Sequence, residues 1–295
     1  MTLIVFLLAY VIRRRLDSQG HLYGENLWRR WFHPAAKVKA GKEARLLAGL
    51  SVVLLPAMAL GALSWVADSY GWRLAIYPLE CLVLVLLMGT PGWDAVLQAY
   101  SDAWRRGDMQ GAWHHVQEHL PAQERGAALS PDTMHMAVAR ALMLAVFQRF
   151  FLVAFWYVLG GIGFAVLARG LVALAQQWPR AAARPGFCRL AEWMAWIPVR
   201  LVSLTFGIAG DLAGWLREIR GRFLALGETS AEVLMISANG SLTGYALDPS
   251  GFSRMHPELW ADFGGRSLRA VRDLLNRSML VWICALALLV IFGVV

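Results

Sequence analysis

Residues 150–178 read FFLVAFWYVLGGIGFAVLARGLVALAQQW. A run this apolar belongs in hydrocarbon or in a large buried core. Gly160, Gly161 and Gly163 interrupt its middle. Glycine inside a helix costs about 1 kcal/mol relative to alanine and permits backbone shapes closed to other residues. The stretch is therefore either one span with a weak centre or two helical arms meeting at a break. One straight span would place Arg169, Arg180, Arg184 and Arg189 outside the membrane. That runs against the tendency of basic residues to stay on the cytoplasmic side. A break would let Arg169 return inward, and the arginines favour it. Irregular backbone at membrane depth is tolerated where protein or a cavity surrounds it.

Five other apolar blocks accompany this one, at 3–12, 46–67, 74–88, 196–210 and 279–295. Residues 3–12 precede Arg13-Arg14-Arg15. A cleaved leader carries its positive charge before the apolar run, so this order predicts an uncleaved anchor. Ten residues rise only about 15 Å against about 30 Å of hydrocarbon. The arginines must snorkel, or the helix must extend into its polar flank. Residues 46–67 predict a full span, 68–73 an outer turn and 74–88 the return. The last block, 279–295, predicts a terminal span. Between the blocks, 94–149 and 211–277 predict polar, largely helical cytoplasmic segments. The basic residues of 13–45, from Arg13 to Lys37, Lys39, Lys42 and Arg45, place that segment in the cytoplasm.

The chain is 58% hydrophobic and 16% charged. Ordinary soluble domains are about 45–50% apolar and about 25% charged. The fold class is all-α: a polytopic helical membrane protein with a broken or re-entrant helix and cytoplasmic helical segments, in one integral membrane domain over 1–295. The net charge of +8 flanks the apolar blocks. It points to topology and lipid headgroups rather than nucleic acid. Cys81, Cys188 and Cys284 form no CxxC, so no disulfide framework or zinc site is expected.

Nucleotide and nucleophile motifs are absent: there is no GxxxxGK[ST], GxSxG or GxGxxG. HHVQEH puts His115 and His119 four apart beside Glu118. Such a pair can bind a metal, but no third ligand is evident and a solvated helix face explains it equally. No metal and no cofactor is expected.

Arg200 lies inside the apolar stretch WIPVRLVSLTFGIAG (196–210). A central arginine costs about 2.5–3.5 kcal/mol on insertion scales, so something must compensate it. Glu192 and Asp211 are the nearest acids, reachable through long side chains or a bend at Pro198. A backbone carbonyl or an exogenous phosphate or carboxylate would serve as well.

WIPVRL (196–201), VAFWYVLGGIGFAVLAR (153–169), LLNRSMLVWI (274–283) and the opening MTLIVFLLAYVIRRRLD occur in an order that resembles the AmpE family. The resemblance covers nearly the whole chain. It implies a bacterial inner-membrane protein linked to regulation of an inducible β-lactamase. AmpE in turn is similar to the cobinamide-phosphate synthases, whose Pro-Ala-Arg-Leu motif corresponds to Pro198-Val199-Arg200-Leu201. Those enzymes carry acids around the apolar block. Here Gln148 and Arg149 stand in place of a Glu-Asn pair, and ARGLVALAQQW has no Asp. Phosphoryl-activated amide formation needs carboxylates to hold Mg²⁺, so the resemblance implies the scaffold without the reaction.

The resulting expectation is an accessory or sensor protein in the inner membrane that binds an anionic or amphiphilic ligand. Its candidate ligand-binding residues are Arg200, Arg149, Trp196, Glu192 and Asp211. Gly160, Gly161, Gly163 and Pro198 are the candidate structural breaks. Membrane lipids and a membrane or cytoplasmic protein are the expected partners. The alternative is a membrane enzyme forming an amide or phosphoester. It calls for carboxylates near Arg200, with Glu192, Asp211 and Glu80 available.

Overall fold

The apolar runs fold as helices, and no strand forms among the described residues. The computed structural model describes residues 2–18, 24–34, 46–89, 93–120, 125, 130–225, 227–243 and 245–292. Lys37, Lys39, Lys42 and Arg45, on which the cytoplasmic placement of 13–45 partly rests, lie outside the described residues. Three helical stretches are long and apolar enough to cross a membrane: Leu47–Ser69, Pro131–Gln177 and Pro257–Ile291. The protein is an all-α helical membrane protein. The chain divides into two compact units.

The first unit comprises Met1–Thr90, Phe147–Pro198 and Leu286–Val295. It contains α1 (Thr2–Ser18), α2 (Gly24–Phe32), α3 (Leu47–Ser69) and α4 (Arg73–Leu87). The first helix runs on past its apolar block, through the three arginines. Arg13 is buried rather than snorkelled. Its Nε donates to Asp17 Oδ1 at 2.8 Å and its Nη1 to the Val85 carbonyl at 3.0 Å. The helix can therefore extend into its polar flank because an acid one turn on and a carbonyl of α4 take up the charge.

The glycine question is resolved in the same unit. Segment 131–177 is α7 (Pro131–Val146), a π-helical turn (Phe147–Phe151) and α8 (Leu152–Gln177). Within α8, Gly161 has φ 72° and ψ −169°. That region is essentially restricted to glycine. The chain doubles back there. Trp156 and Phe164 stack with ring centroids 5.8 Å apart, although eight residues of straight helix rise about 12 Å. Gln176 Nε2 donates to Gln148 Oε1 at 2.9 Å, where a straight helix would separate them by about 42 Å. The helix is thus a hairpin hinged at Gly161.

The returning arm packs on α3 at backbone distance. A Cβ on Gly163 would meet the Ala57 carbonyl oxygen at 2.7 Å, and one on Gly170 would strike the Val53 side chain. Small residues permit this approach, which is how helices associate when lipid removes the hydrophobic drive between them. On α3 only Gly49, Val53 and Ala57 are buried, one narrow stripe every four residues. Leu54, Leu55, Met58 and Trp65 stay exposed, as suits a lipid-facing helix.

Pro198 does not break its helix. Helix α9 (Arg184–Ala209) continues through it. Proline lacks the N–H that would bond the carbonyl of residue 194. The Trp156 indole N–H supplies that bond, reaching the Met194 carbonyl at 3.0 Å.

The second unit comprises Pro91–Val146 and Val199–Ala285. It holds α5 (Asp94–Arg105), α6 (Met109–Val116), α10 (Leu212–Ile219), α11 (Ser230–Ser241), α12 (Pro249–Met255) and most of α13 (Trp260–Ile291), with α7. Its core is aromatic. Trp104, fully buried, lies against Trp260, Phe263 and His135, and its indole N–H donates to the Trp260 carbonyl at 3.1 Å. Helices α10 and α11 touch at Gly214 and Gly240, where a Cβ on either would hit the partner's carbonyl.

Candidate functional site

Glu80 is the one acid of α4, set among leucines and valines. It is 7% exposed. Two hydroxyls hold its carboxylate: Ser64 Oγ of α3 donates to Oε1 at 2.8 Å, and the Tyr157 hydroxyl of the hairpin's first arm donates to Oε2 at 3.0 Å. The three residues come from three segments, and the hairpin brings the last of them in. An ionisable side chain in an apolar helical frame is a functional-site hypothesis by default, because burying it costs several kcal/mol unless it is satisfied. The Tyr157 side chain also lines a small apolar crevice with Leu3, Phe6, Val158 and Leu289. One side chain thus lines an apolar crevice and bonds the buried carboxylate of Glu80.

The candidate residues from the sequence divide between the two units. Arg149 lies in the π-helical turn of the first unit, and Trp196 and Glu192 lie on α9 in the same unit. Arg200 and Asp211 belong to the second unit. Arg200 is 5% exposed. Its Nε donates to the Phe223 carbonyl at 3.0 Å and its Nη2 to the Ala225 carbonyl at 2.6 Å. Asp211 caps α10, its Oδ1 accepting the Ala213 N–H at 3.0 Å. The proximity of Arg200 and Asp211 in the sequence therefore hides two separate duties.

A buried polar chain in the second unit was not legible in the sequence. His135 is fully buried. Its Nδ1 lies 3.0 Å from the Tyr100 hydroxyl and its Nε2 lies 2.7 Å from Ser267 Oγ, while Ser267 donates to the Ala246 carbonyl. Ser267 has one proton and gives it to the carbonyl, so Nε2 must be the donor to Ser267. Nδ1 then accepts from Tyr100. Every group is satisfied and the donors run one way. Burial pushes the Tyr100 hydroxyl far above the usual phenol range. The serine proton is committed away from the imidazole, so this arrangement is a core-fixing network rather than a nucleophile and its base.

The two histidines of HHVQEH fall on consecutive elements. Helix α6 ends at Val116; His119 lies in the following 3₁₀ turn, its ring edge-on to Trp93 at 5.6 Å. Among the described residues no three His, Cys, Asp or Glu side chains gather as a metal site would require. The three cysteines are free.

No family model, no curated protein and no solved structure matches this chain.

Proposed function

We propose that this chain is a multi-pass accessory or sensor protein of the bacterial inner membrane, of the AmpE kind, acting in cell-wall stress and β-lactamase regulation. It works by binding an amphiphilic ligand rather than by chemistry on it. The motif order in the sequence supports the family reading. The observation that carries the binding reading is the double role of Tyr157: its ring lines the apolar crevice and its hydroxyl bonds Glu80. A chain entering the crevice would press on that ring. Displacing it would strip one donor from a buried carboxylate, which costs about 1–3 kcal/mol. That is enough energy to couple occupancy to a change in the hairpin. Of the three acids open to the amide-forming alternative, Asp211 caps a helix and Glu80 is held by two hydroxyls, which leaves Glu192.

The test is induction of β-lactamase by a cell-wall-active antibiotic. Cells lacking this gene are complemented with wild type, Tyr157→Phe or Glu80→Gln. The reading expects altered induction in the deletion, restored by wild type and not by the variants. Unchanged induction in the deletion would overturn the regulatory reading. A deletion phenotype that both variants rescue would overturn the role of the crevice.

A further inference from the structure

Arg217, Arg220 and Arg222 fall within six residues at the end of α10 and the turn after it. All three are exposed, and none of their side chains bonds or pairs with another described residue. The turn presenting them is firmly built. The Ile219 carbonyl accepts from the backbone N–H of Arg222 at 2.9 Å and of Phe223 at 3.1 Å, and the Arg222 carbonyl accepts from Ala225 at 3.0 Å. Gly221 adopts φ 84°, the left-handed region that glycine enters without strain. The Phe223 ring meets Trp215 edge-on at 5.9 Å. From the buried side, Arg200 grips the carbonyls of Phe223 and Ala225. One inward guanidinium fixes the turn while three outward guanidiniums are displayed by it.

Leucines accompany the arginines. Leu212, Leu216 and Leu224 are 48%, 53% and 69% exposed. Leu212, Leu216 and Arg220 are four apart and share a helix face. The one acid inside the run, Glu218, is exposed as well, and the base of its side chain lies where a Cβ on Gly240 of α11 would come, leaving three arginines to one carboxylate. We infer that the surface of α10 and its following turn is a docking site for anionic phospholipid. The leucines enter the boundary of the acyl region and the three arginines meet headgroup phosphates. Charge complementarity selects the anion, and the interleaved leucines select a lipid over a water-soluble polyanion, which has no use for them. This inference does not depend on the proposed function.

The full-length protein is reconstituted in equal parts phosphatidylglycerol and phosphatidylcholine and then extracted in mild detergent. Retained lipid is counted by mass spectrometry. Wild type should retain phosphatidylglycerol in excess. The triple variant Arg217→Gln, Arg220→Gln, Arg222→Gln should lose that excess, by about fivefold per arginine at the usual attraction of a basic residue to an anionic leaflet. The lysine triple at the same positions should keep most of it, because the attraction is chiefly charge. A control triple, Arg266→Gln, Arg269→Gln, Arg277→Gln, removes equal charge from exposed positions of α13 and should keep it too. Equal loss in both glutamine triples would show attraction to overall charge only and overturn the site. So would retention by the first triple. Wild type washed at high salt gives a reading free of variants: a phosphatidylglycerol excess that survives the wash also overturns it.

Discussion

The Trp156 indole N–H donates to the Met194 carbonyl at 3.0 Å, four residues before Pro198. That carbonyl is the one proline leaves without a helical donor. A side chain 38 residues away thus repairs the defect and lets α9 run on unbroken. Trp156→Phe should therefore destabilise the first unit by about 1–3 kcal/mol, the cost of a buried unsatisfied acceptor. Adding Pro198→Ala to that variant restores the backbone donor and should recover much of the loss. Thermal unfolding of the four proteins in detergent measures the cycle. Additive losses would show that the indole contributes packing alone.

The hairpin gives a distance prediction. With the three native cysteines replaced, Gln148→Cys and Gln176→Cys should cross-link readily in membranes, since the native amides are 2.9 Å apart. A straight helix would hold them about 42 Å apart. Gly161→Ala should cost about 1–3 kcal/mol, because alanine is strained at φ 72° and ψ −169° even though its methyl would meet no atom within 4 Å. A cross-link that fails while both single-cysteine proteins label freely would sink the doubled-back arm.

Tyr157→Phe removes one of the two hydroxyl donors to Glu80. It should lower stability by about 1–3 kcal/mol, and Ser64→Ala should do likewise. Glu80→Leu in the Tyr157→Phe background should recover stability, since the stranded charge goes with it. Urea or thermal unfolding in detergent reads the coupling. Independent losses at Glu80 and Tyr157 would contradict the shared network.

Thr229 and Glu232 form a capping box at the start of α11. The Thr229 backbone N–H, then its hydroxyl, donate to the Glu232 carboxylate and hold its pKa below the ordinary value. A depressed carboxyl adds stability that is present above its unfolded value of about 4.3 and is lost as pH falls through the folded value. Wild type should thus lose more stability than Glu232→Gln between neutral pH and acid. Thr229→Ala should cost about 1 kcal/mol at neutral pH. Parallel pH dependences for wild type and Glu232→Gln would refute the linkage.

The helices were legible because each apolar block carries its own length and period. The hairpin was legible too, because the backbone shape at Gly161 is nearly closed to other residues, so the glycine marks it. Pro198 misled because its repair comes from Trp156, whose identity predicts no such bond. The chain through Tyr100, His135 and Ser267 was invisible for a related reason. Its members are 35 and 132 residues apart, and each alone is an ordinary residue on a helix. The Arg200 partners were the hardest to foresee. A backbone carbonyl belongs to every residue, so nothing in the letters 223 or 225 announces an acceptor.

Arg200 itself supplies the last prediction. The sequence permits an acid, a carbonyl or an exogenous anion as its partner. The structure puts two carbonyls of one turn on its guanidinium. A charged donor to a carbonyl contributes about 1.5–3 kcal/mol, so Arg200→Ala should lower stability by at least about 2 kcal/mol. It should also loosen the turn that carries Arg220 and Arg222. Arg200→Lys keeps the charge but has no planar fork with which to reach both carbonyls, so it should fall between. Removing Asp211 as well should not restore stability, because that carboxylate caps α10. Hydrogen exchange across 219–225, beside thermal unfolding in detergent, measures both effects. A stable Arg200→Ala protein with unchanged exchange would return the arginine to the role of an anion ligand.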